Sequence, residues 1–425
     1  MLKKLLSMSL AVMMMSTACW GCNNDGGGAS PDDTAADNGT HDSDAYVNKS
    51  GEAFPITMLS SSESDIKPVY DPRYTEANHR FVSSMLAALD GNENPVFSPL
   101  SLQIALQVLA NGADDETAEK LLSAVCPGLT LDEVNESAES LIAMIGEDGG
   151  VNIENAVVYN DILQINKRFA NTAADRYAAS VGALGFSDPA AALAEINGWI
   201  EQNTDGLIKE LIDELGPDTA VVIMNALTLK LDWAKPFTPL RGLEEFNGSK
   251  GAEQTGFIQS SGKYSYGEFE EGRTAVVPYN GGKYAMAIML PEEGYSPVEA
   301  ASALIPRIGE CEETGVFVKM PKIELDSKYD IIAMSEKLGI AEALHGHYPA
   351  LADREDVTVS QILHGASLSV TEFGTTAAAA TAIVTRKSFE FFPEIKEFTC
   401  SRPYAMAIFN VETGAVLFVS AVFDV

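Results

Sequence analysis

Hydrophobic positions recur every three or four residues from 77 to 89, where Phe81, Met85, Leu86 and Leu89 share one stripe, and that period predicts an amphipathic helix. A second helix opens at Ser98-Pro99, a cap followed by proline at the first helical position. Its apolar residues Leu102, Ala105, Leu106 and Leu109 keep the helical period. Further helices are predicted over 115–125, 132–145, 167–181, 189–202 and 330–339. Elsewhere the pattern changes to short β-branched and aromatic runs between turn signals. These predict strands over 151–159, 219–231, 274–278, 284–290, 316–322, 367–372, 404–410 and 416–423. The last two flank Val411-Glu412-Thr413-Gly414, a hairpin connection with a glycine available for positive φ. Helices and strands are interspersed without repeat or βαβ rhythm, so residues 75–425 read as one α+β domain.

The amino terminus follows a different pattern. Lys3 and Lys4 precede an apolar run over residues 5–18, shorter than the roughly 20 residues a bilayer span requires. Basic start, apolar middle and small residues at the end are the layout of a secretory signal, so residues 1–18 are expected to be removed. Ser16-Thr17-Ala18-Cys19 is similar to a bacterial lipobox, which makes Cys19 the candidate lipidation site; an ordinary cleaved signal is the alternative. Residues 19–70 then read as a tether. Between 23 and 50 six Asp face a single Lys, and such a stretch cannot bury enough apolar surface to order itself. The expected location is the outer membrane or cell surface as a lipoprotein, otherwise secreted or periplasmic, with the membrane engaged only through the amino-terminal lipid.

Charge and chemistry narrow the function classes. The 28 Lys and Arg against 61 Asp and Glu leave a formal charge of −33, which repels phosphate backbones and argues against nucleic acid as a partner. Cys126, Cys311 and Cys400 are an odd set without a C-x-x-C pair, so a disulfide is permitted but not demanded. Cys400 reads as a small buried hydrophobe. No G-x-S-x-G elbow, H-E-x-x-H, P-loop or G-x-G-x-x-G occurs. His345 and His347 could both face a metal from a strand, but the Gly and Pro beside them point to a loop and no further ligands cluster there. Neither an enzyme nor a cofactor is indicated.

Residues 372–392, EFGTTAAAATAIVTRKSFEFF, are the informative stretch. Alternate positions Thr375, Ala377, Ala379, Thr381, Ile383 and Thr385 would give a strand one small, uncharged face. Such a segment could slide between existing strands; an Ala-rich connector is the plain alternative. A charged residue at Thr375 or Ala377 is expected to block that insertion while leaving the fold intact.

With this stretch the chain resembles the serpin family, from about residue 75 to its end. Asn94-Pro95-Val96-Phe97-Ser98-Pro99-Leu100-Ser101 is similar to the family's early N-x-x-F-S-P-x-S element. Met224-Asn225-Ala226-Leu227, leading to Trp233 and Phe237, resembles its central strand pattern. Met320-Pro321-Lys322, Leu338-Gly339-Ile340 and His364-Gly365-Ala366 follow in the family's order. Glu372-Phe373-Gly374-Thr375 and the Ala run resemble its hinge, and 398–408 its carboxy-terminal signature. Phe373, Thr376, Ser401 and Tyr404 depart from the usual residues.

The resemblance implies a serpin fold of three β-sheets and about nine helices, with an exposed reactive-centre loop near the carboxy terminus. It implies a monomeric suicide-substrate inhibitor of serine endopeptidases. The protease cleaves the loop, forms an acyl-enzyme and is trapped as the hinge inserts into the largest sheet; a non-inhibitory binding or structural serpin is the alternative. The implied hinge is Glu372, Gly374, Thr375, Thr376, Ala377, Ala378, Ala379, Ala380 and Thr381. Ser98, Ser101, Asn225 and His364 would be the polar cluster under the point where the sheet opens. Family spacing puts the scissile bond at Ser388–Phe389, or at Lys387–Ser388 for a loop one residue shorter. The basic pair Arg386-Lys387 favours the latter and a trypsin-like target, with an elastase- or chymotrypsin-like enzyme as runner-up. Whether cysteine proteases are also trapped is left open.

Overall fold

The computed structural model describes residues 45–47, 53–57, 70–89, 93–146, 150–216, 219–352, 354, 357, 359–375 and 395–425. By its internal contacts the chain divides into Met1–Asp42, outside the described residues, and Ser43–Val425.

Local chemistry sets the helix starts. Asp71, Ser98, Asp188 and Ser296 each cap a helix whose first residue is proline, and each side chain accepts a backbone N–H of the first turn. Ser296 and Glu299 complete a capping box. Nine α-helices occur among the described residues. The predicted helix over 167–181 is shorter: Lys167–Tyr177 stops where Ala178 turns left-handed at φ 49°, and Ala179–Leu184 becomes a strand. Its small residues pair in parallel with Val151–Asn160, so sheet pairing overrides a helical period that continues through the alanines. Pro297–Arg307 is a helix absent from the predicted set, although Ser296-Pro297 and Glu299 carry its start signal. His345 and His347 fall in the turn that follows the short helix Ala341–Leu344, as the loop reading expects.

Among the described residues the strands form a seven-stranded sheet, a nine-stranded sheet and a two-stranded ladder of Ala45–Val47 with Ala53–Thr57. That ladder lies within the stretch expected as an unordered tether, so over these residues backbone pairing replaces the expected disorder. The seven-stranded sheet runs Ala179–Leu184, Val151–Asn160, Val221–Leu229, Val359–Val370, Gly374–Thr375, Leu231–Asp232, with Ile323–Asp330 also pairing Val359–Val370. In the second sheet the 18-residue strand Gly251–Glu268 pairs with Thr238–Gly248, Gly272–Pro278 and Glu312–Pro321. That one strand ties nine strands into a continuous ladder. Tyr404–Asn410 and Val416–Val422 form the predicted hairpin, with Gly414 at φ 76°. The Asn410 carboxamide oxygen accepts from the Glu412 and Thr413 amides and closes that turn.

Helix Pro99–Ala110 touches strands of both large sheets, and every one of its residues is buried. This buried helix delivers Ser98 and Ser101 to the underside of the seven-stranded sheet. The sequence placed a strand over 367–372, but the strand is Val359–Val370 and Glu372 lies beyond it. Its early half escapes a pattern search because Ser360, Gln361, His364 and Gly365 interrupt the apolar run.

Candidate functional site

Two neighbouring strands of the seven-stranded sheet part company at one end. Val359–Val370 pairs in parallel with Val221–Leu229 from Val359↔Val221 to Ala366↔Leu227. Beyond Ala366 that ladder ends, while Ser367–Val370 continue and pair on their other side with Ile323–Asp326. At the tip the chain reverses, and Thr375 comes back antiparallel to Val370. Gly374 and Thr375 also pair with Asp232 and Leu231, so the returning strand starts inside the mouth of the fork.

Of the expected hinge residues, those in the described chain are held there by hydrogen bonds. Thr371 N–H and its hydroxyl both donate to the Gly374 carbonyl, at 2.9 and 3.2 Å. The Trp233 indole donates to the Thr371 carbonyl (2.9 Å), and the Trp233 and Phe237 amides donate to Phe373 and Glu372 carbonyls (2.9 and 2.8 Å). Trp233 stacks on Tyr279 with centroids 4.5 Å apart, and the Tyr279 hydroxyl bonds the Thr375 hydroxyl at 2.5 Å. Both Thr375 and Tyr279 are buried, and burial pushes the Tyr279 phenol well above its ordinary value.

Gly374 is required by close approach. A Cβ there would lie 2.0 Å from the Leu231 carbonyl oxygen and 2.8 Å from the Asp232 Cα. Glu372 pairs with Lys322 at 2.6 Å. Burial works to raise its carboxyl, but the Lys322 ammonium and a backbone amide outweigh it, and Glu372 ends below the usual glutamate range. Thr376, Ala377, Ala378, Ala379, Ala380, Thr381, Arg386, Lys387, Ser388 and Phe389 lie outside the described residues, as does Cys19.

Below the fork sits the predicted polar cluster, with Ser98, Ser101, Asn225 and His364 all fully buried. The structure brings them together, though not as a closed network. His364 Nε2 accepts from the Ser98 amide at 2.9 Å, and the Ser101 amide donates to Ser98 Oγ at 3.2 Å. The Asn225 amide nitrogen donates instead to Asn155, whose own amide donates to the Tyr177 carbonyl at 2.8 Å. Ser101 Oγ, Asn225 Oδ1 and His364 Nδ1 are buried without a partner among the described residues. Burial depresses His364 to about 3, so its ring is neutral. With Nε2 accepting, the proton is on Nδ1.

Sequence reasoning gives no role to Tyr279 or Asn155, and names Trp233 only as part of the resemblance of 224–237. Tyr279 meets Thr375 across 96 positions of chain, and no local pattern announces such a contact. Cys126 and Cys400 are buried and Cys311 half-buried, all three as free thiols. Burial raises the Cys126 thiol to about 12 and Cys400 further, in keeping with Cys400 as a buried hydrophobe. No cluster of metal-ligating side chains and no helix long and apolar enough to cross a membrane occurs among the described residues.

A family model described as serpin (serine protease inhibitor) matches residues 76–425. A serpin-like protein of Thermococcus kodakarensis is 28% identical over 397 residues, covering 89% of this chain and 90% of its own. Iripin-2 of Ixodes ricinus is 27% identical, covering 83% and 94%. Among solved structures, the thermophilic serpin tengpin in its native state superposes with a TM-score of 0.78 at 23% identity, covering 86% and 98%. Thyroxine-binding globulin in complex with thyroxine superposes at 0.72 and 24% identity, covering 82% and 98%.

Proposed function

Because the chain belongs to the serpin family, we propose that it is a suicide-substrate inhibitor of serine endopeptidases. The observation that carries this reading is the fork: an open end between two strands, with the hinge already started as the antiparallel strand that would fill it. A protease that attacks the loop forms an acyl-enzyme. The freed segment then adds to the sheet as a new strand, the mode of β-strand addition for which serpins are known.

The magnitudes support trapping. Fourteen residues from Thr375 to Ser388 carry the attached enzyme on the order of 45 Å at about 3.3 Å per residue. New ladder bonds at about 0.5–1.5 kcal/mol each supply on the order of 10 kcal/mol. Deacylation needs an aligned site, and a 1 Å displacement can cost roughly a hundredfold in rate.

In this reading Glu372 to Thr381 form the hinge, Ser98, Ser101, Asn225 and His364 line the opening, and Lys387–Ser388 is the reactive bond, with Ser388–Phe389 second. A trypsin-like target follows from the basic Lys387, because such a pocket carries a carboxylate. Residues 1–18 serve as an export signal and lipidated Cys19 as the anchor, with residues 19–70 holding the domain off the membrane.

Incubation with trypsin-, chymotrypsin- and elastase-like proteases tests this. An SDS-stable complex is expected, and a released carboxy-terminal fragment beginning at Ser388. A fragment beginning at Phe389 or Glu390 moves the target to the chymotrypsin or elastase class, and cleavage outside 386–390 defeats both assignments. Cleavage with no complex at all supports a non-inhibitory binding serpin.

A further inference from the structure

A cavity away from the fork and its hinge carries charges of both signs. It holds about 450 Å³ between the first turns of helix Leu131–Gly146, helix Lys167–Tyr177 and the turn at Ala350. That volume is typical of small-ligand sites. Asp132 and Glu136, four residues apart on one helical face, line it from the first helix, and Arg168 lines it from the second. Buried Phe169 adds an apolar surface, and the Asn111 and Asn135 carboxamides complete the polar lining.

Charge pairing around this cavity is selective. On the same helix Glu133 pairs with Arg73 at 2.6 Å, and Glu139 pairs with Arg176. Asp132, Glu136 and Arg168 make no ion pair among the described residues. Asn135 is unfinished too, although it is only 9% exposed. Its Oδ1 accepts from the Asn111 amide and the Tyr177 hydroxyl, and one of its own amide hydrogens goes to Asn111 Oδ1 at 2.9 Å. A carboxamide carries two donor hydrogens, and the second has no partner among the described residues. Leaving such a donor unpaired in a buried place is costly.

The signs of the walls select the ligand. A simple anion would meet Arg168 and Asn135 but be repelled by Asp132 and Glu136, and a simple cation would meet the acids but be repelled by Arg168. A molecule with both charges satisfies both walls. We propose that this cavity binds a small zwitterion of the amino-acid class, free or as a dipeptide. Its carboxylate accepts from Arg168 and from the Asn135 amide, its ammonium donates to Asp132 and Glu136, and an apolar side chain rests on Phe169. The site is separate from the inhibitory machinery proposed above, and its ligand is the chemistry that peptide-bond hydrolysis releases.

Calorimetric titration of the full chain with the twenty common amino acids and glycyl-leucine tests this in the absence of any protease, so the outcome is independent of the inhibitory reading. Saturable binding of at least one is expected, with a Kd in the micromolar to millimolar range. Tighter binding of the dipeptide assigns the longer zwitterion, and tighter binding of a free amino acid the shorter. The best ligand is then compared with its carboxamide, which lacks the negative charge, and its N-acetyl derivative, which lacks the positive one. Each is expected to bind at least about tenfold more weakly. Arg168→Gln should bind the parent as weakly as the carboxamide, and Asp132→Asn with Glu136→Gln should no longer prefer the parent over the N-acetyl form. All three positions are exposed, so the variants are expected to unfold at the wild-type midpoint. Binding by no member of the panel overturns the proposal. So does a ligand that tolerates both blocked forms, or one that binds the folded variants as it binds wild type.

Discussion

The hydrogen bond between Thr375 and Tyr279 makes a quantitative prediction about how the hinge is held. Thr375→Val replaces the hydroxyl by a methyl of the same shape and leaves the Tyr279 hydroxyl, buried in the core, without a partner. An unpaired buried polar group costs about 1–3 kcal/mol. Tyr279→Phe makes the complementary cut and leaves Thr375 Oγ1 unpaired, at a similar cost. Together the two substitutions remove both polar atoms, and replacing both partners by apolar groups can be nearly neutral. The double variant should therefore be more stable than either single one, with a coupling of about 1–3 kcal/mol in a double-mutant cycle. Urea unfolding followed by tryptophan fluorescence suits the measurement, because Trp233 stacks on Tyr279 and reports on this spot. Additive losses in the cycle would refute the reasoning. The same contact revises an expectation from sequence: Thr375→Arg cannot leave the closed fold intact, because Thr375 is already fully buried there.

Four further outcomes follow. On the inhibitory function proposed above, Ala377→Arg should yield a protein that is cleaved without trapping protease, since insertion would bury a guanidinium, and an unchanged stoichiometry of inhibition would contradict it. Gly374→Ala should lower the stability of the closed form by about 1–3 kcal/mol, because its Cβ meets backbone that cannot swing aside; a wild-type unfolding midpoint would count against the close approach. Glu372, whose carboxyl is lowered in the fold, should stabilise the protein relative to Glu372→Gln at neutral pH. That difference should fade as pH falls through and below the ordinary glutamate range, as pH-dependent unfolding of the pair would record. Cys19→Ser should move the protein from membranes to the soluble fraction, and unchanged fractionation would remove the lipobox assignment.

Much of this architecture can be read from local pattern, and the exceptions have physical reasons. Helices with proline at their first position and a side-chain cap announce themselves, as Ser98-Pro99 does, because both signals sit within three residues. The hairpin at Gly414 is legible for the same reason. Thr238–Gly248 and Gly251–Glu268 are not, since their exposed faces carry Glu, Gln, Ser and Lys and dilute the alternation. At the site, the small face of 375–385 is visible in sequence, and the four polar residues follow only from the family resemblance. Their incompleteness is not: that Asn225 turns to Asn155 and leaves Oδ1 open depends on a strand 70 positions away. The clasp of Trp233 and Tyr279 on the hinge belongs to the same class of long-range contact.

The fork between Ala366 and Leu227 has a mechanical consequence. A closed sheet resists splitting with the combined strength of its whole ladder, but a sheet with a notch fails at the notch tip. An entering strand never has to break the seven registered pairs between Val359–Ala366 and Val221–Leu227 at once. At each step it breaks one and makes bonds on both of its own edges before the next. The resistance would therefore be local, set by the few residues at the advancing tip, and on the proposed mechanism the race against deacylation would depend on the slowest single step. The tip's path runs through His364 and Asn225, the most polar pair along that seam. Changes far down the seam, at Val359 or Val221, should alter how strong the finished sheet is without altering how fast it opens.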